Sequence, residues 1–511
     1  MTEQVPEYDV IVVGAGMAGI VLAARVAERG INPRTGDRLR VALIEAGPHW
    51  LKGRPNPGFG DPANRRMIPQ ISWEEFVPLQ SWPWPLGLKV VGGCSLQWGA
   101  RTFMPFDVDY ENWCATGINW TKENMKGAVD DVRQMFHIRT DPPEAATQSQ
   151  IIFKEAAHSL GYKAEPRSRA GRNKLYSAFK NPCKYDTKAS SLWYLPIAEE
   201  NGVELIDRAE VNKVIIEKQG AGAIVKGIAY ERDGHAQMLN AGKVVVSCGY
   251  AGTPLLLARS GYGPRQQLGT KLIAENSNVG SNLDDDKIWT VPIRFKEAVQ
   301  APGRLSGGGA GYEVMVDDSA HKDGTGTLLI GEISSLEEPH ARALSEFAPA
   351  FGKAHMDYMR EDSSLTRRGA IQLIATRAPA EVKGKVDLKT GAKIYPDVPY
   401  LNKRMQVARE MTMEIANKMG AEVAPQFPKS FRGIGGIGGI GHVCGTCCAG
   451  KDRRISVINE DFESHDVKGL FVVDASSYPR GAIFSGAICA IMGSFGAERI
   501  VKNYFSRGAG R

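Results

Sequence analysis

Near its start the chain carries an apolar, β-branched run, Tyr8 to Val13, which predicts a strand buried on both faces, as in a parallel sheet. From Met17 to Arg29 the apolar residues recur at helical spacing, and a second apolar run, Arg40 to Glu45 (RVALIE), reads as the next strand. Helices are predicted again from Trp120 to Phe136 and from Leu192 to Glu200, with a merely polar region reaching to Lys180 between them. Short runs separated by turn residues follow at Val203–Asp207, Val211–Glu217, Ile224–Glu231 and Lys243–Ser247, and they predict a β-meander appended to the first sheet. The stretch VVVSCGYAGTPLLLARSG then repeats strand, glycine and helix, with Pro254 expected in the first helical turn, where its missing N–H costs little.

From about Val291 to Pro428 the pattern alternates, as at Gly326–Ile333 and Gly369–Thr376, before a helical stretch near Lys403–Met419. This predicts a separate, sheet-bearing cap that shapes a substrate site. The chain returns to strand and helix at Leu470–Ser476 (LFVVDAS) and from about Gly486 to Tyr504.

Between the first strand and the first helix lie Gly14, Gly16 and Gly19. In such a strand-turn-helix the first glycine permits the tight turn, the second lets a pyrophosphate approach the backbone, and the third lets helix pack on strand. The free N–H groups of the helix N-terminus favour the anion without a basic side chain. Glu45, at the end of the second strand, can accept hydrogen bonds from a ribose. The long irregular segment from Gly47 to Val91 carries Trp73, Phe76, Trp82 and Trp84; it is either a lid over a bound group or a loop packed down by its rings. It ends at Gly92 and Gly93, which permit close backbone approach to a ligand.

Composition narrows the classes. At 511 residues, with 43% hydrophobic and 23% charged content, the chain suits a soluble globular protein of two or three domains. The +6 charge arises from interspersed basic and acidic residues, which does not suggest nucleic acid, and no stretch is apolar and long enough to span a bilayer. The N-terminal MTEQVPEYDV lacks the features of an export signal, so a cytoplasmic location is expected. Eight cysteines in so long a chain do not make a disulfide framework. Cys444, Cys447 and Cys448 form a cluster resembling CxxC, but no second pair with metal-ligand spacing accompanies it, and no metal is expected.

Taken together, GAGMAG, IEAG, VVGGCSLQWGA, SCGYAGTPLLLARSG, NVGSNLDD (Asn278 to Asp285), GHVCGTCCAGKD and SVINEDFESHDVKGLFVVDASSYP resemble, in order, the motifs of the glucose-methanol-choline (GMC) flavoprotein oxidoreductases. The resemblance runs from one terminus to the other. It implies an α/β fold in which a Rossmann-like FAD-binding domain (1–105, 200–290 and 440–511) is interleaved with a substrate-binding cap (106–199 and 291–439). FAD would be held by Gly14, Gly16, Gly19 and Glu45, with Val211 by the adenine and Asp474 and Ala475 near the ribityl-isoalloxazine end. Gly92 and Gly93 would lie in the flavin-covering segment. The phrases GINW and NEDFESHDVKGLFVVDAS look most like the bacterial sugar and polyol members, among them the gluconate and fructose dehydrogenases and the pyranose and glycoside oxidases.

The implied chemistry is oxidation of a CH–OH group, with hydride leaving carbon for flavin N5 and the hydroxyl proton going to a general base. By similarity to the family's HxxGT motif that base is His442. Two positions depart from the family. Where many relatives have a second histidine or an asparagine this chain has Ser485, which either holds the substrate oxygen by a hydrogen bond or merely caps the final helix. Where some relatives carry a histidine joined covalently to flavin it has Gln97, which implies dissociable FAD. Cys183 stands where some sugar dehydrogenases have several cysteines, and one is too few for an iron–sulfur cluster. A secondary hydroxyl of a sugar or glycoside is the expected target, with oxygen or a quinone as acceptor. Aryl or aliphatic alcohol oxidation and a non-redox lyase activity are the alternatives.

Overall fold

The computed structural model describes residues 7–49, 88–140 apart from 97, 99, 100 and 103, 148–171 apart from 167, 189–299 apart from 221, 312–316, 329–335, 369–377, 383–394, 410–423 apart from 412, 442–480 and 486–506. The tryptophan loop Trp73–Trp84, Gln97, Cys183 and Ser485 lie outside the described residues.

β1 (Tyr8–Val13) forms where expected, with Val10, Ile11 and Val12 inaccessible to solvent. α1 (Met17–Arg29) also has the predicted bounds and covers one face of it, and β2 (Val41–Ile44) pairs parallel to β1. Arg25, buried on α1, is matched by Asp131 of α2 (Lys122–Met135), which accepts from the arginine Nε at 3.0 Å. Helix 195–200 then acts as a crossover, so β3 (Glu204–Ile206) enters the same sheet parallel to β2 instead of opening the meander. The meander consists of β4 (Ala209–Gln219), β5 (Gly222–Arg232) and β6 (His235–Val246), all antiparallel neighbours.

β6 starts well before the expected Lys243. Its first half, His235–Asn240, is exposed except at Leu239 and is held by backbone pairing with β5, so it carries no hydrophobic alternation to read. Its second half runs parallel to β1, with Val13 opposite Val246. α3 (Gly249–Arg259) follows, and Pro254 lies inside this helix, not in its first turn as the sequence suggested. A proline there has no N–H for the carbonyl one turn earlier, that of Tyr250. The Thr446 hydroxyl donates to that oxygen instead, at 2.6 Å.

A second sheet is antiparallel throughout. β7 (Asp286–Phe295), β8 (Tyr312–Val316), β9 (Leu329–Ser335), β10 (Gly369–Arg377) and β11 (Ala421–Val423) are joined by strand Lys163–Pro166, in the order β11–β7–β10–β9–β8–Lys163 strand. The segment expected to be merely polar therefore supplies a strand and also a helix, Gln148–Ser159. Phe153, Ala156 and Ala157 of that helix pack with Ile293, Phe295, Met411 and Ile415 in a core of their own. Their hydrophobic partners lie far along the chain, which is why local pattern missed them.

β12 (Leu470–Val472) returns to the first sheet, pairing parallel to β6, and α4 (Ile488–Tyr504) packs on α1 and α2. The parallel layer reads β12–β6–β1–β2–β3. Ser494 of α4 donates to Asp131 at 2.6 Å, so one carboxylate ties together three helices. Residues 107–135, assigned to the cap by sequence, share this first core: Trp120 stacks on Phe462 at 4.7 Å and meets Phe495 edge-on at 5.8 Å. Among the described residues no helix is long and apolar enough to cross a membrane.

Candidate active site

The carboxyl ends of β1, β6 and β12 lie side by side, and it is in the crevice outside such ends that parallel α/β sheets take ligands. Its floor is backbone packed on backbone. Gly14 has φ +104°, and a Cβ there would stand 2.4 Å from the Ser247 carbonyl oxygen; one on Gly19 would stand 1.9 Å from the carbonyl oxygen of Gly14. Gly93 closes from the other side, where a Cβ would lie 2.9 Å from the Gly16 Cα, and the Gly92 N–H donates to the Ala15 carbonyl at 2.8 Å.

Gly16 is different, because a Cβ added there would meet nothing within 4 Å. The protein itself does not demand a glycine at this position, whereas a ligand lying against the backbone would. Gly16 is also the N-cap of α1 and no side chain caps the helix, which leaves its first N–H groups for an anion. These observations fit a dinucleotide pyrophosphate.

Glu45 is buried, with Oε2 accepting from the Ala15 N–H at 2.8 Å and Oε1 from the Gly47 N–H at 3.0 Å. Burial pushes its pKa up and these two bonds oppose the shift. Each oxygen keeps lone-pair capacity for a ribose hydroxyl. Val211 is on β4, whose start is fixed beside this site by the Ala209 N–H donating to the Glu45 carbonyl at 2.8 Å.

Asp474 has a role the motif did not show. Its carboxylate accepts from Ser476 N–H (2.7 Å), Ser476 Oγ (2.5 Å), Gly249 N–H (2.8 Å) and Thr253 Oγ1 (2.6 Å). The side chain is thus engaged within the protein, clamping the start of α3 to the turn after β12. Burial still pushes its pKa up, with those bonds opposing. Thr253 and Ser476 lie within the motifs GTPLLLARSG and VVDASS, but nothing in their spacing joins them to one carboxylate.

Ala475 accepts from the Gly445 N–H at 3.0 Å, and Ser476 and Ser477 accept from Cys447 and Ala449 at 2.8 and 2.9 Å. The segment 445–449 therefore runs alongside the turn that follows β12. At its start, Cys444 and Asp284 exchange both backbone hydrogen bonds, at 2.9 and 3.0 Å. His442, half-buried, precedes Cys444 by two residues, and β7 of the second sheet begins two residues after Asp284. The structure thus brings the His442 segment between the crevice and the second sheet.

The cysteine cluster is buried. Cys444 and Cys448 turn their thiols to the Asp284 and Ile455 carbonyls, at 3.7 and 3.6 Å. Burial pushes the Cys448 thiol up to about 11, so at neutral pH it is not a thiolate ligand. Among the described residues no group of three or more His, Cys, Asp or Glu could hold a metal ion.

Two family models match the chain, both described as GMC oxidoreductase: the N-terminal one over residues 8–287, more than half of the sequence, and the C-terminal one over 389–492. The chain belongs to the GMC oxidoreductases. Members of this family are flavoproteins, generally FAD-dependent. An alcohol dehydrogenase [acceptor] of Pseudomonas putida is 26% identical over 92% of this GMC chain and 91% of its own length. A choline oxidase of Arthrobacter globiformis is 26% identical over 58% of the chain and 57% of its own length. Uncharacterized GMC-type oxidoreductases of Mycobacterium bovis and Mycobacterium tuberculosis are 25% identical, and the chain spans 60% of their length. Pyridoxine 4-oxidase from Mesorbium loti shares the fold, with a TM-score of 0.68 at 19% identity over 96% of this chain and 99% of that one. A fungal aryl-alcohol oxidase does so with a TM-score of 0.64 at 16% identity, over 98% and 100% of the two chains.

Proposed function

We propose that this protein oxidises a CH–OH group, a secondary hydroxyl of a sugar or glycoside, with FAD bound non-covalently in the crevice and His442 as general base. When bound, FAD supplies the hydride acceptor. The chain's own residues do the rest. Gly16 and the start of α1 receive the pyrophosphate, Glu45 the ribose, and Val211 the adenine. The backbone of Asp474 and Ala475 meets the far end of the cofactor, and Gly92 and Gly93 cover it. Residues 1–105, 200–290 and 440–511 hold FAD, and 106–199 with 291–439 form the cap, the helices of 107–135 lending their core to the first layer.

His442 takes the hydroxyl proton, for which an imidazole is suited because its unperturbed pKa lies near working pH. Ser485 steadies the carbinol oxygen with one hydrogen bond. Oxygen or a quinone accepts the electrons, and the protein works in the cytoplasm. The observation that carries the reading is the pair of backbone bonds from Gly445 and Cys447 to Ala475 and Ser476, which ties the segment beginning at His442 to the crevice.

A second reading, oxidation of an aryl or aliphatic alcohol, draws on the alcohol dehydrogenase whose match covers 92% of this chain. An anaerobic screen of flavin bleaching with sugars, glycosides, aryl alcohols and aliphatic alcohols, followed by admission of air, separates the two. Bleaching by sugars or glycosides is expected; bleaching by aryl or aliphatic alcohols alone would replace the first reading with the second. Acid precipitation should release the yellow colour into the supernatant, and colour retained in the pellet would refute non-covalent binding.

A further inference from the structure

Tyr250 occupies the first turn of α3, one residue beyond the Gly249 N–H that Asp474 clamps. Its backbone carbonyl is taken by Thr446. Its side chain has a different set of neighbours. The ring is half-buried and packs with Leu283, Val386 and Val443, between the hairpin 385–394 and the segment that follows His442. Lys393 of that hairpin stands 5.9 Å from the ring centroid and reaches to within 3.5 Å of the Asp285 Oδ2. The two charged side chains are almost wholly enclosed, at 4% and 0% exposure.

The phenol hydroxyl makes no hydrogen bond to the described residues, and its oxygen is not one of the enclosed polar atoms that lack a partner. A tyrosine hydroxyl that no protein group engages is free to donate to a ligand. The Tyr250 backbone borders the crevice, since the N–H of the neighbouring Gly249 donates to Asp474. Burial, then Asp285 and the nearby Cys94, raise the pKa of the phenol, so it stays a donor at every working pH. Cys94 belongs to the short helix 93–96 that begins at Gly93, the glycine lying against Gly16. Tyr250 thus joins the Asp474 clamp, through its backbone neighbour Gly249, to the buried Lys393–Asp285 pair beside its ring.

We propose that Tyr250 is a cofactor-contact residue, its hydroxyl donating a hydrogen bond to bound FAD, and that the Lys393–Asp285 pair is the positioning element that sets its ring. The assignment rests on the reading that FAD occupies the crevice. A buried ion pair is costly to keep unless its geometry is used, and removal of one partner leaves the other charge stranded. Here the pair braces the hairpin 385–394 against the Tyr250 ring.

The test is equilibrium binding of FAD to the full-length apoprotein, read by flavin fluorescence at a temperature well below unfolding, with no substrate present. Tyr250→Phe should weaken FAD about tenfold, the factor an ordinary neutral hydrogen bond represents, and leave the thermal midpoint of the apoprotein unchanged. Affinity equal to that of the unaltered protein overturns the assignment. Lys393→Met should weaken FAD as well, Lys393→Arg should restore much of the loss, and the double variant Lys393→Met/Tyr250→Phe should bind no worse than Lys393→Met alone. Independent, additive losses in that cycle overturn the positioning role. Failure of the unaltered protein to take up FAD overturns the cofactor reading itself, and is thereby distinguished from failure of the Tyr250 assignment.

Discussion

The glycine loop 14–19 and the segment 442–449 meet at one crevice, yet they are fixed in opposite ways. Around Gly14 and Gly19 backbone touches backbone at distances no side chain could share. The segment 442–449 is instead suspended between two partners, Asp284 before it and Ala475 to Ser477 beside it, by hydrogen bonds that any residue type could make. Position is secured by exclusion in the first region and by register in the second. A substitution in the loop is punished for the volume it adds, and one in the segment for the chemistry it removes.

The contrast is sharpest at His442. His442→Ala should lower the rate of flavin reduction by substrate about 10²- to 10⁴-fold, the range general-base catalysis supplies, while the bound flavin spectrum is retained. Stopped-flow bleaching checks it, and an unchanged rate would remove His442 from the proton step.

Next in size come the glycines. Gly19→Ala should destabilise the apoprotein by about 3 kcal/mol, since its Cβ meets a fixed carbonyl. Gly16→Ala should leave apoprotein stability within about 0.5 kcal/mol and yet weaken FAD binding. Chemical unfolding with parallel FAD titration separates the two, and equal destabilisation by both would mean that Gly16 serves packing and not a ligand.

Smaller still is Thr446→Val, which strips the Tyr250 carbonyl of the hydroxyl that replaces the missing Pro254 N–H. A loss of about 1 kcal/mol in unfolding free energy is expected. The smallest effect belongs to the pair Asp452–Arg454, just beyond the second region. Hydrogen bonds from Arg454 hold the Asp452 carboxyl down at about 2. A depressed carboxyl adds stability above the ordinary carboxylate range and loses it as pH falls toward that value. At this exposed site Asp452→Asn should leave the neutral thermal midpoint where it was, and any difference should vanish in acid.

The same contrast explains what could be read from the chain. β1, α1 and the packing of Gly19 on Gly14 depend on residues within a short span, and hydrophobic period with glycine spacing was enough to find them, whereas the carbonyl that crowds Gly14 comes from Ser247. β6 was half legible, because Val244–Val246 is apolar and buried whereas His235–Asn240 is held by backbone bonds alone. The helix Gln148–Ser159 and strand Lys163–Pro166 were missed because the apolar groups they bury against come from residues beyond 290. Within the site, motifs pointed to Asp474 but not to its four donors, two of which come from Gly249 and Thr253. Nothing in local composition connects Lys393 with Asp285, since that pair exists only when the hairpin 385–394 folds onto the chain before β7.

The clamp at Asp474 also sets an order of events in the life of the molecule. The crevice begins at residue 14 but is not complete until Asp474 has reached Gly249 and β12 has paired with β6. A chain emerging from the ribosome would present the glycine fingerprint long before it could close the cradle with Asp474. A dinucleotide that needs the whole cradle would then have to wait for β12. Fragments lacking β12 and α4 should carry the complete glycine motif and remain colourless.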